Sequence, residues 1–193
     1  MEPKLARPGA GIPIFERLLT RFWLLPRAEK RTSAEAVSKL FLSELRKIYE
    51  LASTLGEKQL ATRVLVPRVP GLEDSSRYWS VAMTLEHIVL VSDSMEKISA
   101  SLARGIVPPI WVDIAKIKPQ GQLEAFEALE KFRSYVHSEQ QKGNLEHLHV
   151  PSKAKLVHPW FGALHARAWN TLKASHAAVH RKQVQLIVKG LQV

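Results

Sequence analysis

The chain contains no cysteine among its 193 residues, which excludes disulfides, thiolate metal sites and a cysteine nucleophile. That absence also fits a cytoplasmic location. No apolar run is long enough to span a membrane. The richest stretch, Ile12 to Leu25, is interrupted by Pro13, Glu16, Arg17 and Arg21, so it is neither a signal core nor a spanning helix. Strand-forming alternation, internal repeats and low-complexity tracts are likewise missing, and nothing reads as a sheet. Acidic residues are scarce at one end: residues 131–193 hold ten basic and two acidic side chains.

What remains is an ordinary globular composition, 46% hydrophobic and 24% charged, of a size that suits one domain with its own core. Net charge is +10; residues 1–31 contribute +4, residues 32–130 contribute −2 and residues 131–193 contribute +8. The basic C-terminal third reads as a solvated face. No helix-turn-helix, zinc finger or stacking motif accompanies it, so no specific nucleic-acid partner is expected.

Helical periodicity predicts four long helices. The first opens at the capping box Thr32-Ser33-Ala34-Glu35 and runs to about Leu55, with Val37, Leu40, Phe41, Ile48 and Leu51 at helical spacing. The second spans about Ser76 to Arg104, with Trp79, Met83, Leu90, Val91 and Ile98 on its apolar side. The third runs from about Gln122 to Gln140, with Leu123, Phe126, Leu129 and Val136 inward and Gly143 at its end. The fourth spans about Gly162 to Lys189 and stops at Gly190. The proline-rich segment Val64 to Pro70 reads as an extended crossing, and residues 144–160 as an irregular, histidine-rich connection. The expected class is therefore all-α, a four-helix bundle whose long connections permit crossovers. Residues 1–31 form an N-terminal helical extension and residues 32–193 the bundle domain. In the extension, Ile14, Leu18 and Phe22 share a helical face that is expected to dock on the protein's own core.

Chemistry concentrates in the eight histidines. His176 and His180 are one turn apart on the inward stripe Trp169, Leu172, His176, His180, Gln183 and Ile187 of the fourth helix. His87 shares its side of the second helix with Met83, Leu90, Val91 and Ser94. Imidazoles on a core seam need partners for their nitrogens. If the second and fourth helices pack together, His87, His176 and His180 converge as three neutral ligands, the set of an open divalent site. His147 and His149 read as loop residues, His158 as shaping the start of the fourth helix, His165 as too far along it to join the cluster, and His137 as a helix-end residue facing the dipole. Glu86 diverges from His87 by about 100° and points away. Asp93, Glu96 and Asp113 are candidates only for supporting contacts.

The run His158-Pro159-Trp160-Phe161-Gly162, followed by Trp169, His176, His180 and Gln183, resembles the last helix of the DinB/YfiT-like superfamily. Trp79-Ser-Val-Ala-Met-Thr-Leu-Glu-His87 is similar to that superfamily's second-helix motif. The resemblance covers about residues 33–190 and leaves residues 1–31 without a counterpart. It implies a crossover four-helix bundle holding a divalent metal on His87, His176 and His180; imidazole ligands suit zinc or nickel foremost, and iron as well. It also implies a metal-dependent thiol S-transferase or hydrolase acting on a small molecule, with a low-molecular-weight thiol as co-substrate. The alternative class is a non-catalytic metal-binding or structural bundle, dimerising through the N-terminal arm, with its pocket filled by Trp79 or Trp169.

Overall fold

The computed structural model describes residues 3–119, 121, 123–142 and 152–191. Its elements are α1 (Ile14–Leu19), a π-type turn (Thr20–Leu24), α2 (Leu25–Arg31), α3 (Ala34–Ala52), α4 (Glu57–Ala61), β1 (Val64–Leu65), β2 (Tyr78–Trp79), α5 (Val81–Ala103), α6 (Ala125–Gln141), β3 (Lys155–His158), β4 (Gly162–His165) and α7 (Ala166–Gly190). The fold is largely helical, with two small antiparallel sheets, β1–β2 and β3–β4, that the sequence reading did not anticipate. Strands of two and four residues are too short to show an alternating pattern against a helical background.

Four long helices build the core. α7 packs against α3 and α5, and α6 packs against the same two, so α3 and α5 share both neighbours. Leu45, Ile48, Leu85, Ile88, Phe132 and Val184 fill the interior among them. A second apolar cluster, around Ile98, Leu102, Phe161, Leu164 and Trp169, joins the far end of α5 to the β3–β4 hairpin and the start of α7. Lys173 is buried, 3.5 Å from Glu96 and 3.8 Å from Glu139, with its ammonium 4.4 Å from the centre of the Phe41 ring. A buried ammonium requires such neighbours.

Each start is set locally. α3 is capped by Ser33, whose hydroxyl accepts from the Ala36 N–H, one residue beyond the expected Thr32; Thr32 instead ends α2, and Glu35 pairs with Lys39. α5 begins at Val81 behind the Ser80 cap, because residues 74–76 form a 3₁₀ turn and Tyr78–Trp79 pair with Val64–Leu65. α7 begins at Ala166 rather than Gly162, because Gly162–His165 pair with Lys155–His158 across a three-residue turn. Gly162 sits at φ +75°, the left-handed position such hairpin loops favour. In α6 the inward residues are Ala125, Ala128, Leu129, Phe132 and Val136, whereas Phe126 is 47% exposed. Leu40 and Leu90 also face outward. Gln122, Gly143, His147 and His149 lie outside the described residues.

The N-terminal arm departs most from expectation. Ile12 and Leu25 are buried, but Ile14, Leu18 and Phe22 are exposed instead of docked. Polar ties hold the arm: Gly11 N–H donates to Glu73 (2.7 Å), Glu16 accepts from Gly71 N–H (2.9 Å) and pairs with Arg68, and Arg167 donates to the Glu29 carbonyl (2.6 Å). Its inner side covers a cavity rather than a close-packed core, which leaves the opposite face in solvent.

Phe132→Ala should cost about 3–5 kcal/mol of unfolding free energy, whereas Phe126→Ala should change it by no more than about 0.5 kcal/mol. Urea denaturation of the two variants checks the orientation of α6.

Candidate metal centre

α5 and α7 bring His87, His176 and His180 together, with one ligand atom of each within 4.8 Å of the others. His87 and His180 are buried; His176 is half-buried and borders the cavity. His87 Nε2 lies 3.2 Å from His176 Nε2, and His180 Nε2 lies 3.1 Å from the same atom. Imidazoles sharing one divalent ion at about 2.0–2.1 Å hold their donor nitrogens about 3.0–3.4 Å apart, so the two separations from His176 suit a common ion, while the ligand atoms of His87 and His180 lie within 4.8 Å of each other.

The surrounding hydrogen bonds decide which nitrogens carry protons. His87 Nδ1 lies 2.8 Å from the Ile117 carbonyl, which only accepts, so Nδ1 is the donor and Nε2 keeps a bare lone pair. Gln183 donates its amide N–H to the Ser76 carbonyl at 2.7 Å, leaving Oε1 to accept from His180 Nδ1 at 2.7 Å. His180 Nε2 is therefore a second bare lone pair. Both face His176 Nε2, and a proton there can satisfy one of them only. If it carries none, three lone pairs converge. In either tautomer a buried acceptor is left without a donor, a costly arrangement that a single cation removes. The residues present fit a divalent ion.

Burial lowers the pKa of all three rings, and that of His180 falls to about 4. Positive charge on His180 would lower His87 and His176 further, while the hydrogen bonds to Ile117 and Gln183 act in the opposite direction on His87 and His180. Neutral imidazoles at pH 7 are the form that coordinates metal. Trp79 closes one side of the cluster, edge-on to His87 at 5.0 Å between centroids and stacked on His180 at 6.0 Å and 4°. Lys118 stands 5.3 Å from the centre of the Trp79 ring and donates to Ser76 Oγ at 2.7 Å. Its charge opposes a second cation nearby, and the ion pair with buried Glu73 at 2.5 Å offsets that repulsion.

Beside the histidines lies a cavity of about 470 Å³, lined mainly by apolar side chains such as Met95, Phe161 and Leu172. Its volume is that of a small-molecule site. Neither Trp79 nor Trp169 fills it. The arm contributes Leu24, Leu25 and Thr20 to its wall. Two wall atoms, His176 Nδ1 and Thr171 Oγ1, are buried without a protein hydrogen-bond partner.

His158 also lines this cavity, aimed inward by the burial alternation of β3, and burial lowers its pKa to about 4. Its sequence reading as a residue shaping the helix start missed that placement; the Pro159 turn that reverses the chain was the available signal. Lys118 and Glu73 were missed because they lie on irregular segments without periodicity. His165 caps α7 through the Ala168 N–H and lies 3.3 Å from a Glu29 oxygen, away from the cluster, and His137 bonds Gln141. Asp93 pairs with Lys97, Glu96 with Lys142, and Asp113 accepts from Ala115 N–H; none of these, nor Glu86, is among the described cavity residues.

Compared with known protein families, curated proteins and solved structures, the chain has no significant match.

Each buried ring titrates below the usual histidine value of 6.5, so the unfolded chain takes up protons first as pH falls. Stability of the metal-free protein is therefore full above about pH 7 and declines toward pH 4, by about 1 kcal/mol per pH unit for each such ring. Urea midpoints measured from pH 7 to pH 5 should fall steadily; a flat profile would contradict buried neutral imidazoles.

Proposed function

We propose that this chain is a divalent-metal enzyme of the DinB/YfiT-like kind, a thiol S-transferase or a hydrolase acting on a small, largely apolar substrate. The observation that carries the reading is the pair of bare lone pairs on His87 and His180, each aimed at His176 Nε2. Further support is that Trp79 and His87 of one resemblance motif and His176, His180 and Gln183 of the other meet around one point. A crossover four-helix bundle is the matching architecture, favoured by the shared neighbours of α3 and α5.

His87, His176 and His180 would hold the ion. A divalent ion there supplies a Lewis acid that lowers the pKa of a thiol or water reaching it. The protein's own groups do the rest. The Ile117 carbonyl and Gln183 hold two imidazoles in the tautomer with Nε2 bare. Trp79 excludes water from one side. Met95, Phe161 and Leu172 take up the hydrocarbon part of a substrate, while Thr171 Oγ1 and the Nδ1–H of His176 offer a hydrogen-bond handle for its polar part. Zinc, nickel and iron all suit imidazole, so the ion is assigned by charge and ligand type rather than by element.

Protein stripped with a chelator and reloaded should bind one divalent ion per chain, and His176→Ala should abolish that binding. Gln183→Leu should weaken it about 10–100-fold while far-UV circular dichroism stays unchanged. Equal metal content in wild type and His176→Ala would overturn the site. Metal-dependent conjugation of an apolar electrophile across a panel of low-molecular-weight thiols would support the transferase; conjugation unaffected by stripping would remove it.

A further inference from the structure

Ile14, Phe15, Leu18, Phe22 and Trp23 lie exposed on α1 and the π-type turn, whereas the half-exposed Leu19 also lines the cavity. The spacing of these five (i, i+1, i+4, i+8, i+9) places them along one side of the segment. Phe15 is 70% exposed, Phe22 66% and Trp23 52%. The other side turns Leu19, Leu24, Leu25 and Ala28 toward the cavity, together with the polar Glu16 and Thr20. The described residues leave the outer stripe uncovered, an exposed apolar patch of the kind that marks an interaction surface.

The chemistry bordering the stripe selects its cover. The Arg21 guanidinium lies 5.0 Å from the centre of the Phe22 ring, and that of Arg27 lies 5.0 Å from the Trp23 ring. Arginine held against an exposed aromatic suits a lipid boundary, where the ring enters the acyl edge and the guanidinium stays among phosphates. Residues 1–31 carry net +4 in a chain of +10, which attracts an anionic surface and repels a second identical arm. No helix among the described residues is long and apolar enough to cross a membrane, so such a contact is peripheral.

We propose that the stripe from Ile14 to Trp23 docks this protein on an anionic lipid bilayer, with the arm lying in the headgroup plane. The inner side of the same arm walls the cavity, so docking sets that wall beside a phase in which apolar molecules concentrate. The docking itself does not depend on the metal reading.

Flotation of the full chain with vesicles of phosphatidylcholine, with and without phosphatidylserine, tests it. The protein should float with the anionic vesicles, and the bound fraction should fall with added salt. Phe22→Asp with Trp23→Asp should reduce binding by about tenfold or more without lowering the melting temperature, because both side chains are exposed. Arg21→Glu with Arg27→Glu should weaken binding as well. The proposal is overturned if anionic vesicles retain no protein, or if the Phe22/Trp23 pair binds as wild type does, leaving charge attraction alone. It is equally overturned if light scattering finds a dimer that this pair dissolves, which would assign the stripe to a second copy.

Discussion

Two imidazole lone pairs cannot share one proton. His87 and His180 each commit Nδ1–H to an acceptor from outside the cluster, the Ile117 carbonyl and Gln183, so both present bare Nε2 atoms to His176. In water such atoms are satisfied at once; on a helix seam walled by Trp79 they are not. A positively charged guest answers that constraint better than any proton arrangement. The depressed pKa values follow from the same burial, since rings that resist protonation keep their lone pairs for another cation.

Much of the remaining architecture holds this constraint in place. The β1–β2 pairing sets Trp79 immediately before the Ser80 cap of α5, which brings the indole against both His87 and His180. The same segment supplies the Ser76 carbonyl that orients Gln183. On the opposite side, the β3–β4 hairpin turns His158 and Phe161 into the cavity wall, and the arm covers what the long helices leave open. The cavity is thus bounded by the three-histidine cluster at one end and by a mainly apolar wall elsewhere, with polar groups such as Thr171 and Lys118 set into it.

The long helices and the histidine cluster were legible in the sequence because both rest on a 3.6-residue period. The stripe from Trp169 to Ile187 follows that period, and every member but the cavity-facing His176 is buried. What escaped notice lacks periodicity. Lys118 and Glu73 come from irregular segments, and the strands are too short to alternate visibly. Phe126 and Phe132 are both aromatic and only a turn and a half apart, so composition alone did not choose between them. Lys173 interrupts the apolar seam of α7, and only the neighbouring carboxylates of α5 and α6 explain its burial. The arm misled for a different reason: its face has the pattern of a core helix, but what lies beneath it is a cavity.

X-ray absorption at the metal edge of zinc-loaded protein tests the central claim most directly, because imidazole rings give a distinctive outer-shell scattering. Three imidazole nitrogens are expected at about 2.0–2.1 Å, with the remaining coordination from light solvent-derived atoms. A spectrum fitted by one imidazole or none would mean that the lone pairs of His87 and His180 do not meet at a common ion, and would contradict that claim.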